Sequence, residues 1–164
     1  MVGDKPNKTF IVLSMHRSAS SLVAKSLHEA GVHMGDKLLS GHADNPEGHF
    51  EDLDFLRTNI SMMGGDNWRN PDTKVYDIDV SPLVKAKDIK PLWGFKDPRT
   101  ALTIDKYYDY FEDPIIVALF RNPEMVGKSL EARGDMTKEE GIKLAKQYNR
   151  KILDFLNKKF GGEE

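Results

Sequence analysis

The sequence contains no cysteine, which removes disulfide frameworks, thiol nucleophiles and thiolate zinc sites together. Histidine is scarce as well. There are five, none of which forms a ligand pair at helical spacing, so metal binding is left to scattered histidines and the carboxylates. No run of about 18 apolar residues is available to span a bilayer. The polar residues 1–8 lead into an apolar stretch, 10–13, much shorter than a secretory core. No membrane partner is therefore expected, and the cytoplasm is the default location. A large excess of one charge is also missing: 24 Lys plus Arg stand against 26 Asp plus Glu, for a formal net charge of -2. Binding long nucleic acid needs a basic face that releases counterions, so that class of partner is excluded. Small anions stay open wherever positive charge is local. The pattern GxxxxGK[ST] is nowhere in the chain, which excludes a Walker-type nucleotide loop.

What is present is a chain of 164 residues, 39% of them hydrophobic, without repeats, low-complexity tracts or a Pro/Ser linker. One domain over residues 1–164 is expected, large enough to bury a core without cross-links. Residues 9–15 (TFIVLSM) read as a strand buried on both faces. Leu22, Val23, Ser26, Leu27 and Ala30 then mark one face of a helix that Gly31 can end in a left-handed cap. Leu53, Leu56, Ile60 and Met63 form a second helical face, closed by Gly64 and Gly65. Residues 70–90 mix Pro, Asp, Lys and short apolar runs and yield no assignment. Residues 92–95 suit a short strand running into Lys96-Asp97-Pro98-Arg99, with Pro98 at the first position of a following helix. Residues 115–120 (IIVALF) are the strongest strand signal; Asn122 can cap and Pro123 begin the helix after it. Thr137 and Glu140 form a capping-box pattern ahead of a long amphipathic helix through Ile142, Ala145, Tyr148, Ile152 and Phe155. Strands alternating with helices predict an α/β fold with a central parallel sheet covered on both faces.

Ligands of such sheets bind beyond the carboxyl ends of the strands, and there the basic residues collect. After the first strand comes His16-Arg17-Ser18-Ala19-Ser20-Ser21, where N–H groups at a helix start, an Arg and hydroxyls can surround an oxyanion. Lys96 and Arg99 follow the middle strand and Arg121 follows the strongest one. A small polyanion would account for this, although capping turns also favour Ser and Asn.

The segment SMHRSASS after a strand and opening a helix resembles the 5′-phosphosulfate loop of the sulfotransferase family. Arg121-Asn122-Pro123 with the later Ser129 is similar to that family's 3′-phosphate element. NPEGHFE at 45–51 and WGFKDPR at 93–99 resemble segments of its bacterial members. The resemblance implies a three-layer α/β/α, P-loop-like sulfotransferase fold and 3′-phosphoadenosine 5′-phosphosulfate as donor, with adenosine 3′,5′-bisphosphate as product and no metal. It also implies a hydroxyl or amine of a small-molecule or glycan acceptor. Residue by residue, Arg17 would contact the 5′-phosphate and bridging oxygen, and Ser18, Ser20 and Ser21 the phosphate and sulfate oxygens. Ala19 stands where the family commonly has Gly, which is harmless in a helical conformation and strained in a left-handed one. Arg121 and Ser129 would hold the 3′-phosphate, and His16 stands beside the loop, suited to a hydrogen bond to the donor or to satisfying backbone in the turn.

Sulfuryl transfer needs a base on the acceptor side, cations for charge at the bridging oxygen and enforced alignment. Glu51 is the first candidate base; its bland alternative is a carboxylate at a helix N-terminus. Asp97 is the second, with an N-cap role as the alternative. Glu47 and His49 share the loop of Glu51. Lys96 suits a sulfate oxygen, or else an ion pair with a neighbouring Asp. Trp68, Trp93, Tyr107, Tyr108 and Tyr110 suit an acceptor pocket, adenine stacking or simply the core. The basic excess of the last helix, Lys143, Lys146, Arg150, Lys151, Lys158 and Lys159, reads as a solvated face. Two other classes compete. A small-molecule kinase would bring a P-loop lysine, which is missing. A non-catalytic or shortened nucleotide-binding relative is the stronger rival, because larger members of the family continue into a segment over the adenine.

Overall fold

The computed structural model describes residues 5–39 and 48–162. Its centre is a parallel sheet of three strands, β1 (Lys8–Ser14), β2 (Leu92–Lys96) and β3 (Asp113–Leu119), in the order β2-β1-β3. Helices α1 (Ser20–Glu29), α2 (Leu53–Met62), α3 (Ser81–Lys87), α4 (Thr100–Thr103), α5 (Pro123–Ala132) and α6 (Lys138–Phe160) surround it. The apolar run of β1 is buried because it is the middle strand, with alternate side chains feeding two separate clusters. Ile11 and Leu13 join Phe55 of α2, Val126 and Leu130 of α5, and Leu144, Tyr148 and Ile152 of α6. Val12 faces Ala24 of α1 together with Val32 and Met34. The result is an α/β fold with helices on both faces of the sheet, consistent with three layers.

Local signals place the elements that lead to the strand ends. The chain leaves α1 through Gly31 at φ 102, and Val32 N–H returns to Leu27 O at 2.9 Å. Asn122 caps α5 through Glu124 N–H at 2.9 Å, with Pro123 at its first turn. Thr137 and Glu140 close a full capping box on α6. Two expectations shift. The helix after β2 begins at Thr100, two residues beyond Pro98, because Asp97 and Pro98 first make a turn in which Thr100 N–H bonds Asp97 O at 2.9 Å. Residues 81–87 of the unassigned stretch form α3, with Pro82 in its first turn.

Helices α5 and α6 approach closely at Gly127 and Gly141: a Cβ on Gly141 would lie 2.8 Å from Gly127 Cα, and one on Gly127 would lie 2.6 Å from Lys138 O. Side chains there would push α5 off α6 and displace everything α5 carries.

The register aligns the carboxyl ends. Val12 pairs with Lys96 on one side and Val117 on the other, and Ser14 pairs with Leu119. His16 and Arg121 therefore each stand two residues past the same rung. Among the described residues no helix is long and apolar enough to cross a membrane.

Candidate anion-binding cleft

The strand ends open into a cleft of about 460 Å³. Its floor is the loop 16–21 and the first turn of α1, and its walls are residues 48–51, Lys96, Pro98, Arg121 and Arg133. The loop turns sharply by placing Arg17 and Ala19 both at φ 62, in the left-handed region. Ala19 is the N-cap of α1 and offers no side-chain acceptor, so the first N–H groups of a ten-residue helix are left without a side-chain cap beside the cleft. Ser18 Oγ is buried without a hydrogen-bond partner on the same wall. A left-handed alanine costs roughly 1–2 kcal/mol that glycine avoids, against about 0.4–1 kcal/mol of extra unfolded-state freedom. Ala19→Gly is therefore expected to raise stability by up to about 1.6 kcal/mol, read from urea midpoints. A lower midpoint would mean that the strain at Ala19 is smaller than the flexibility glycine adds to the unfolded chain.

Three of the expected donor-site residues meet directly. Arg17 Nε donates to Ser129 Oγ at 2.8 Å, and Arg121 Nη1 donates to Arg17 O at 2.6 Å. The loop after β1 is thus joined to the turn after β3 and to the middle of α5. Ser20 and Ser21 line the cleft in the first turn of α1.

On the opposite wall, Glu51 is 5% exposed and forms a buried cluster with the end of β2. Its Oε1 lies 3.1 Å from Lys96 Nζ and its Oε2 3.7 Å from Arg99 Nη1. Burial pushes the Glu51 carboxyl up from its ordinary value, and the neighbouring charge of Asp97 adds to this. The Lys96 ammonium pulls it back only in part. Asp97 is fully buried, does not line the cleft, and spends its oxygens on Arg99 and Asn59, each at 2.8 Å. Arg99 is in turn clamped by Asp66 at 2.8 and 3.2 Å. Glu47 lies outside the described residues.

His16 is half-buried, its ring 4.4 Å from that of Trp68, and its Nε2 is enclosed without a partner. Burial holds its pKa well below the ordinary value, helped by the charges of Arg99, Lys96 and Arg133, so the ring is neutral. A base whose pKa falls on folding gives stability that is complete above the unfolded value of about 6.5. That stability is lost as pH drops from there towards the folded value. Wild-type urea midpoints are expected to fall from pH 7 to pH 5, with a shallower slope in His16→Gln; equal slopes would rule His16 out as the cause.

Other expected residues are placed elsewhere. Trp93 and Tyr107 are core, whereas Tyr110 is exposed. Tyr148 bonds Trp68 O at 2.6 Å and so fixes the backbone behind His16. On α6, Lys158 and Lys159 pair with Asp105 and Asp109 at 3.0 Å each. Two cations of the cleft escaped the sequence reading, Lys25 and Arg133. Each stands four residues beyond a serine already singled out, Ser21 and Ser129, and i,i+4 places them on the same helical faces. Among the described residues no group of three or more His, Asp or Glu is arranged to hold a metal.

The cleft wall thus carries Arg17, Lys25, Lys96, Arg121 and Arg133 against a single described carboxylate, Glu51. Such a surface is suited to a small polyanion bearing more than one phosphate or sulfate group. Comparison of the chain with family models, curated proteins and solved structures returned no match.

Proposed function

We propose that the chain is a sulfotransferase with a P-loop-like fold, moving a sulfuryl group from 3′-phosphoadenosine 5′-phosphosulfate to a hydroxyl or amine. The observation that carries this reading is the Arg17, Arg121 and Ser129 junction. It joins the loop after β1 to the turn after β3 and to α5 at neighbouring strand ends, which suits a ligand carrying phosphates on both the 3′ and the 5′ oxygen of one ribose. The uncapped start of α1 and the unpartnered Ser18 Oγ fit a phosphosulfate group. Arg121 and Ser129 are assigned to the 3′-phosphate, and Arg17 to the 5′-phosphate and the oxygen that bridges it to sulfur.

In the reaction the bond from sulfur to the 5′-phosphate oxygen breaks as a bond from sulfur to the acceptor oxygen or nitrogen forms. The acceptor proton passes to a base, and adenosine 3′,5′-bisphosphate leaves. Glu51 is the assigned base, because it alone among the described carboxylates lines the cleft and its raised pKa favours holding a proton. Arg17 stabilises charge growing on the leaving oxygen. Activity is expected to rise with pH as Glu51 deprotonates, at a midpoint above that of an ordinary glutamate.

Calorimetry with adenosine 3′,5′-bisphosphate tests the reading: binding is expected, and it weakens markedly in Arg121→Ala. No binding at millimolar ligand, or stronger stabilisation by magnesium ATP than by the bisphosphate in a thermal-shift comparison, overturns it. Binding without turnover across a broad acceptor panel favours the non-catalytic relative. Its structural support is the ion pairing that holds Glu51 in place.

A further inference from the structure

Lys96 closes β2 and is 2% exposed. An ammonium has three N–H donors, and three protein oxygens surround this one: Glu51 Oε1 at 3.1 Å, His49 O at 3.0 Å and Ser21 Oγ at 3.4 Å. These acceptors come from both sides of the cleft, two from the segment 48–51 and one from the first turn of α1. Ser21 Oγ itself donates to His49 O at 3.2 Å, closing a triangle. Between the two residues Lys96 holds on that segment stands Phe50, a bulky residue at φ 52. Left-handed backbone at such a residue costs of order 1–3 kcal/mol and persists only where its surroundings enforce it. Here the enforcing bonds lie on both sides of it, at His49 O and at the Glu51 carboxylate.

We propose that Lys96 is a positioning residue, which presents the Glu51 carboxylate to the cleft and ties it to the anion loop through His49 and Ser21, and does not itself contact the donor. The inference rests on the sulfotransferase reading for the meaning of Glu51, and on the structure alone for the tie. A Lys96 that contacted the donor would have to release one of its present partners. If it released Glu51, the carboxylate would lose the stronger of its two neighbouring positive charges and keep only Arg99 against the like charge of Asp97. The assignment also explains why the site spends a buried cation on a carboxylate: a base fixed at one edge of the loop gains alignment with the reacting centre.

The test uses Lys96→Met, with Lys96→Arg as a second variant that keeps the charge but changes its shape. Three quantities are read in each: backbone amide resonances of residues 48–51, the Glu51 carboxyl titration by carbon NMR, and the affinity for adenosine 3′,5′-bisphosphate by calorimetry. In Lys96→Met the amide resonances are expected to move or broaden, and the Glu51 midpoint to rise with loss of the ammonium. Bisphosphate affinity should stay within about threefold. In Lys96→Arg the amide resonances move again and affinity is again retained. Should Lys96→Met fail to fold, the Lys96→Arg result decides by the same criteria. A tenfold or greater loss of affinity with residues 48–51 unmoved overturns the proposal and makes Lys96 a donor contact. Unmoved resonances with retained affinity overturn it too, since Lys96 would then hold nothing in place. If the wild-type protein binds no bisphosphate, the function fails while the NMR readouts still decide whether Lys96 fixes Glu51.

Discussion

Arg17→Ala is expected to weaken adenosine 3′,5′-bisphosphate binding by roughly a hundredfold. A charge-assisted hydrogen bond contributes about 1.5–3 kcal/mol, and about 1.4 kcal/mol is tenfold in affinity. The variant is informative because the loop should survive it. The bond from Arg121 goes to the Arg17 carbonyl oxygen, which alanine retains, while the Nε contact to Ser129 is lost. A fall in affinity with an unchanged urea midpoint would therefore report the missing guanidinium. Arg17→Lys should recover part of the loss, because it restores charge without the planar fork that matches phosphate oxygens. Unchanged binding in Arg17→Ala would remove the loop from the ligand site and the sulfotransferase assignment with it.

The largest effect on stability is expected at Asp97. Its side chain is fully buried, bonds Arg99 Nη1 and Asn59 Nδ2 at 2.8 Å each, and accepts the Arg99 N–H at 3.3 Å. Asn59 continues the network to Thr100 and Thr103 at 3.0 and 2.7 Å. Removing one member of a buried ion pair strands the other, at a cost of about 3–5 kcal/mol. Asp97→Ala should thus lose much of the stability of a domain this size, whose total is about 5–15 kcal/mol. Asp97→Asn should lose less, since it keeps the shape and an acceptor oxygen. Urea unfolding at neutral pH measures both; a change below about 1 kcal/mol in Asp97→Ala would show that Asp66 and Glu51 suffice to hold Arg99. The network gives Asp97 a clear structural task at the end of β2, with Glu51 left facing the cleft.

Legibility in the sequence followed the range of the interaction. Caps are local: Asn122 with Glu124, and Thr137 with Glu140, act within a single turn and could be read from spacing. The β1 strand could be read because a middle strand is apolar on both faces. Helix α3 could not, because it buries essentially one side chain, Val84, and leaves too little pattern to detect. In the cleft, Arg17, Arg121 and the serines could be named because they directly follow strand signals. The pairing of Lys96 with Glu51 and the capture of Asp97 by Arg99 and Asn59 depend on which distant segments pack together. Lys25 and Arg133 lay between these cases: helical spacing from Ser21 and Ser129 would have found them, had each helix been followed one turn further.

The junction at the heart of the cleft joins Arg17 to groups 104 and 112 residues away along the chain. No hairpin or isolated helix can assemble it, and closing such contacts is a late and slow event in folding. On the proposed reading, bisphosphate binding should therefore appear only when the whole sheet is in register. A ligand of that kind would act as a reporter of completed folding, gaining signal later in a refolding experiment than far-ultraviolet circular dichroism does.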